Sequence, residues 1–190
     1  MTTDQAQLAV RLALLVLAAV LVQIAAISQL SLLGATPDIV PLVVVSVGLL
    51  AGPVPGALTG FTMGLFVDFA LLQTLGVSSL VLVIVGHFAG RLRDTVRDPE
   101  ASLLPLAAGA AGTAVTLVVF SVVQFLLGVE APVSLELFRQ ILATVLINAL
   151  LALPVYALVR RVLAPALGGR GAGDRRRRRS TPGLSPLISP

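Results

Sequence analysis

Few residues in this chain could do chemistry, and their types exclude most of it. There is no cysteine and one histidine, His87, so neither a thiolate centre nor a zinc or haem site of ordinary composition can be assembled. Every basic residue is an arginine, so a glycine-rich phosphate loop would lack its lysine. Serine hydrolysis would have to pair Ser78 or Ser79 with His87. On one helix Ser79 and His87 stand about 12 Å apart along the axis, too far for a hydrogen bond. No enzyme and no cofactor are expected. Three polar residues still lie in apolar surroundings: Asp68, His87 and Asn148. Asp68 allows three readings: a bundle-internal partner, the wall of a small polar cavity, or a proton relay, which would want a second intramembrane acid. Asn148 suits an interhelical hydrogen bond. His87, one turn before Arg91, suits an interface with its tip in the headgroups. Arg139 and Glu136, three residues apart, suit a local ion pair.

The elements that must hold these residues are apolar. Of 190 residues, 57% are hydrophobic and 12% charged, about half the charge of a soluble domain. The fold class this predicts is an all-α polytopic membrane protein with six transmembrane helices. The segments run from about Leu8 to Leu33, Pro37 to Ala51, Gly56 to Gln73, Val77 to Ala89, Ala101 to Gly128 and Leu137 to Leu163. The first reads as an uncleaved helix, because no basic residue precedes Arg11 and further spans follow. Its polar residues Gln23, Ser28 and Gln29 suggest an interfacial or bundle-facing patch. Helices 2 and 3 are expected to be short and hinged at Gly52-Pro53-Val54-Pro55-Gly56, with Pro53 and Pro55 as the hinge. Pro37 and Asp38 open the second helix, where a carboxylate meets the positive end of the dipole.

Glycine recurs at every fourth position, at Gly48, Gly52, Gly56, Gly60 and Gly64, and the next step is Asp68. This spacing puts small residues on one helix face and allows another helix to approach closely. The proline pair splits the ladder, so a tight hairpin of helices 2 and 3 with one polar anchor is the expected arrangement. Gly56, Gly60, Gly64, Asp68 and Asn148 are the candidate packing and partner-binding residues.

Charge sets the expected orientation. With the N-terminus cytoplasmic, twelve of the thirteen arginines are cytoplasmic and only Arg139 lies outside. The parity holds only if the stretch from Pro37 to Gly76 crosses twice or dips and returns. Residues 1–167 then form the membrane domain, and residues 168–190 form a disordered cytoplasmic tail. Its run Arg175, Arg176, Arg177, Arg178 and Arg179 would anchor topology and attract anionic lipid. No aromatic residue interleaves these arginines, so nucleic acid is not an expected partner.

The ordered set Pro37, Asp38, Gly56, Gly60, Phe61, Gly64, Leu65, Asp68, Leu75 and Gly76 resembles the MreD family of rod shape-determining proteins. Asn148 and Pro154-Val155-Tyr156 in the last helix match as well. The resemblance covers roughly residues 8 to 163 and leaves out the arginine tail. It implies a non-enzymatic subunit of the cell-elongation machinery that scaffolds or regulates lateral peptidoglycan synthesis. MreC is the implied partner, with MreB, RodA and its transpeptidase partner in the same complex. The six-helix design is also similar to the substrate-binding subunits of energy-coupling-factor vitamin transporters. That alternative would want an outward polar and aromatic pocket. Here aromatics are 4%, with no Trp and one Tyr, Tyr156.

Overall fold

A computed structural model describes residues 3–27, 37–72, 74–95, 103–126, 128 and 135–179. Six α-helices follow one another, and no strand occurs among the described residues: α1 (Thr3–Val22), α2 (Ile39–Ala51), α3 (Pro53–Ala70), α4 (Val77–Thr95), α5 (Leu104–Leu126) and α6 (Leu135–Arg179). A π-helical turn, Gln23–Ile27, continues α1. Among the described residues, three helical stretches are long and apolar enough to cross a membrane: Ala6–Ala25, Leu104–Val123 and Phe138–Ala166.

The shortest helix is the hub. In α2, eleven of thirteen residues are buried, from Val40 to Leu49 and again at Ala51. Its sequence, IVPLVVVSVGLLA, is apolar on every side, as a helix surrounded by others must be. Asp38 caps its N-terminus: the carboxylate accepts from the Val40 N–H at 3.0 Å. Pro37 therefore stands just outside the helix and not in its first turn. Ser46, the one hydroxyl within α2, donates to the Leu42 carbonyl at 2.7 Å and so needs no other partner.

The break after α2 differs from the expected proline hinge. Only Gly52 separates α2 from α3, with φ 105° and ψ −178°. Pro53 and Pro55 belong to the first turn of α3, whose N–H groups have no partner within the helix, so proline removes nothing there. The hinge is one glycine in a conformation that side chains resist. α3 accordingly starts three residues earlier than expected and ends at Ala70, with the same length of 18 residues.

Other bounds shift too. α1 gives way to the π turn at Gln23, and Ser28, Gln29 and the rest of the expected first segment up to Leu33 lie outside the described residues. α4 continues past Ala89 to Thr95, carrying Arg91 and Arg93 on its final turns. The backbone of α6 is helical to Arg179, through residues expected to be irregular. Arginine is a good helix former, and the run Arg175 to Arg179 supports extension against the glycines before it. Residues 180–190 lie outside the described residues.

α2 and α6 run in the same direction: Asp38 meets Asn148, and Val43 shares a groove with Val155 and Val159. The far end of α2 therefore lies level with Val162, where Arg11 of α1 donates to the carbonyl at 2.8 Å. Arg93 reaches the same end, with Nη1 beside Gly52.

Candidate functional site

Around α2 the backbones of three helices touch. A Cβ on Gly48 would lie 2.7 Å from the Gly86 carbonyl oxygen. One on Gly56 would lie 2.5 Å from that same oxygen and 2.8 Å from the Gly48 Cα. Gly48, Gly56 and Gly86 thus form a triple contact of α2, α3 and α4. From there the α3 glycines follow α4: Gly60 lies on the backbone of Leu82 and Val83, Gly64 on that of Ser78 and Ser79, and Gly90 of α4 lies on Pro53. Any side chain at these points would strike backbone, which cannot rotate away.

The ladder read from the sequence is therefore divided between two neighbours. Gly56 meets both α2 and α4, whereas the nearest neighbours of Gly60 and Gly64 are on α4, so the tight hairpin is chiefly α3 with α4. A helical period specifies a face but not what covers it. Gly86 and Gly90 are absent from the predicted packing residues, although their four-residue spacing carried the same signal. Gly56, Gly60, Gly64, Asp68 and Asn148 are all buried within the chain. Their surfaces are covered by its own helices.

Two polar anchors fasten this hub. The first is Asp68, wholly buried on α3. Its Oδ2 accepts from the Gly76 N–H at 2.7 Å. Gly76, with φ 96°, closes the turn into α4. Oδ1, also buried, has no partner. The carboxylate thus ties the two ends of the α3–α4 turn together.

The second anchor spans the chain. Asn148 of α6 is wholly buried. Its Oδ1 accepts from the Asp38 N–H at 3.0 Å, and its Nδ2 donates to the Asp38 carbonyl at 2.7 Å. Nδ2 also meets Thr113 Oγ1 of α5 at 3.2 Å, and that hydroxyl donates to the Gly109 carbonyl at 2.9 Å. From the other side Gln23 donates to the Pro37 carbonyl at 3.3 Å and accepts from the Ile39 N–H at 3.0 Å. A primary amide offers a donor and an acceptor side by side, which a hydroxyl or carboxylate cannot match. Two amides therefore hold the start of α2 against α1, α5 and α6. Gln23 was read only as part of a polar patch, and Thr113 was not singled out. Their partners are distant in sequence, so spacing gave no signal.

The residues that could have done chemistry are engaged elsewhere. Ser79 Oγ donates to the Phe61 carbonyl at 3.2 Å. The His87 ring stands edge-on to Phe88, with centroids 6.1 Å apart. Among the described residues no three His, Cys, Asp or Glu side chains converge. Arg139 is exposed on α6. The side chains of Glu136 and of Arg175, Arg176, Arg177, Arg178 and Arg179 lie outside the described ones.

A family profile described as rod shape-determining protein MreD matches residues 5–162. The chain belongs to the MreD family. The match takes in the whole hub, from Gln23 through Asn148, and stops before the arginine tail. Comparison with curated proteins and with solved structures found no match. MreD proteins are rod shape-determining membrane proteins and belong to the rod-shape complex with MreC and MreB. None of the comparisons points to a vitamin-transporter subunit.

Proposed function

We propose that this MreD-family chain is a non-enzymatic subunit of the cell-elongation complex, which helps maintain rod shape by scaffolding or regulating lateral peptidoglycan synthesis. The observation that carries the reading is the family match over residues 5–162. The burial of the polar groups fits it. Asp68 and Asn148 hold helices together, and Ser79 and His87 are not paired for catalysis. In this reading all six helices cross the bacterial cell membrane, with α2 and α3 forming two of the crossings. Both termini are cytoplasmic, because Arg11, Arg91, Arg93, Arg160 and Arg161 share one end of the bundle.

The partner of first choice is the transmembrane segment of MreC, with MreB, RodA and its transpeptidase partner joined through the same complex. The glycine face of α3 is covered by α4, so a partner helix would use outward faces. The α3 ridge of Leu58, Phe61, Leu65 and Phe69 is one such face, with each side chain more than two-fifths exposed. A tagged chain purified in mild detergent from the native membrane tests the proposal. Recovery of MreC, with cross-linking from position 61 and none from position 60, is the expected result. Recovery of a coupling ATPase assembly or of a bound vitamin, without MreC, would overturn it.

A further inference from the structure

On the side of α2 away from the glycine seam, α1, α2 and α6 leave an open groove of about 420 Å³. Every side chain lining it is aliphatic, including Leu14, Ala18 and Val22 of α1, Val43 of α2, and Leu158 and Val162 of α6. One end carries positive charge. Arg11, half-buried, stands one turn before Leu14 and Leu15, and its Nη1 donates to the carbonyl of the groove residue Val162 at 2.8 Å. Arg161, exposed, follows Leu158 by one turn. A carbonyl satisfies a donor but leaves the charge in place. The described carboxylates, Asp38 and Asp68, are engaged elsewhere, at the start of α2 and at the α3–α4 turn. The other end of the groove reaches Val22 and Ile39, where Gln23 ties the π turn to the start of α2.

The length decides between occupants. From Leu14 to Val22 the groove follows α1 for about 12 Å, under half of a 30 Å hydrocarbon core. A transmembrane helix lying along α1 would need contact over the full depth. A single acyl chain needs one leaflet, and its headgroup would fall at the arginine end. A planar guanidinium also suits phosphate oxygens. We propose that this groove binds an anionic phospholipid of the leaflet at the arginine end, with one acyl chain between α1 and α6 and the phosphate at Arg11, Arg161 standing beside it.

Native mass spectrometry of the full chain in detergent, with phosphatidylglycerol and phosphatidylcholine added in equal amounts, tests this. The wild-type chain is expected to retain phosphatidylglycerol in preference by roughly fivefold for each engaged arginine. Arg11→Gln should lower the preference about fivefold, and Arg11→Lys should restore most of it, which separates loss of charge from loss of fold. Ala18→Phe, which fills the groove, should lower retention of both lipids. Replacing Arg175, Arg176, Arg177, Arg178 and Arg179 by Gln should leave the preference intact. Equal retention of the two lipids by wild type would overturn the proposal. So would a preference undiminished by Arg11→Gln, or one that disappears with the tail charges. If Ala18→Phe released a bound protein helix while lipid retention stayed the same, the groove would belong to that helix instead.

Discussion

Gly60→Ala tests the packing hub by the sign of its effect. In an uncrowded helix this substitution stabilises by about 0.5–1 kcal/mol, because glycine loses more backbone entropy on folding. Here the new methyl would lie 2.5 Å from the Leu82 carbonyl carbon and 2.9 Å from the Val83 nitrogen, whereas ordinary contact begins at 3.4 Å. Both atoms are backbone and the Leu82 carbonyl oxygen lies closer still, so α3 and α4 must part by at least about 0.9 Å, the shortfall at the carbonyl carbon. A gap of that size forfeits a quarter to a half of each contact along the seam. Overpacking of this kind typically costs about 1–3 kcal/mol. Set against the helix gain, the net expectation is destabilisation by about 1–2 kcal/mol, or roughly a tenfold shift in the unfolding equilibrium. Gly60→Leu should be worse. Reversible unfolding in mixed micelles, followed by helical circular dichroism, measures both variants against wild type. A Gly60→Ala chain as stable as wild type, or more so, would mean that α3 and α4 do not approach at this point. The close-packed seam would then be wrong.

Three further outcomes follow from the same geometry. Asn148→Ala leaves the Asp38 N–H and carbonyl without their partner, so unfolding should become easier by about 2–4 kcal/mol; a change below half a kcal/mol would show that the amide pair contributes little. Asp68→Ala should destabilise by about 1–3 kcal/mol, because the half-buried Gly76 N–H loses its acceptor. Asp68→Asn can keep that bond and should fall closer to wild type in both unfolding and cell-shape complementation; an Asn variant as damaged as Ala would make the charge the essential feature. Val54→Cys should react with a membrane-impermeant thiol reagent only from the cytoplasmic side in inverted vesicles. Labelling from the periplasmic side would refute two crossings by α2 and α3.

Much of the architecture was legible because membrane helices are specified locally. Apolar length, the proline and aspartate before Ile39, and the arginine asymmetry each act within a turn or two of their own positions. Six helical segments and the opening of α2 by Asp38 follow from such signals. The proline hinge was misread because proline in a first helical turn and proline in a linker have the same neighbours in sequence. Only the described backbone, with φ 105° at Gly52 and helix from Pro53 onward, separates the two cases.

The sequence by itself determined which residues are small, which are polar and which share a helical face, since backbone periodicity fixes those relations. It marked Asp68 and Asn148 as groups that must find partners, because an unsatisfied polar group in an apolar interior is costly. Which partners they find was decided by tertiary structure. Asn148 closes on Asp38 across 110 residues, Gln23 reaches Pro37 and Ile39, and the α3 glycines turn to α4 rather than mainly to α2. No local rule encodes these choices. They arise from enclosing the 13-residue α2 among its neighbours, which forces each helix to present its smallest face where backbones must meet.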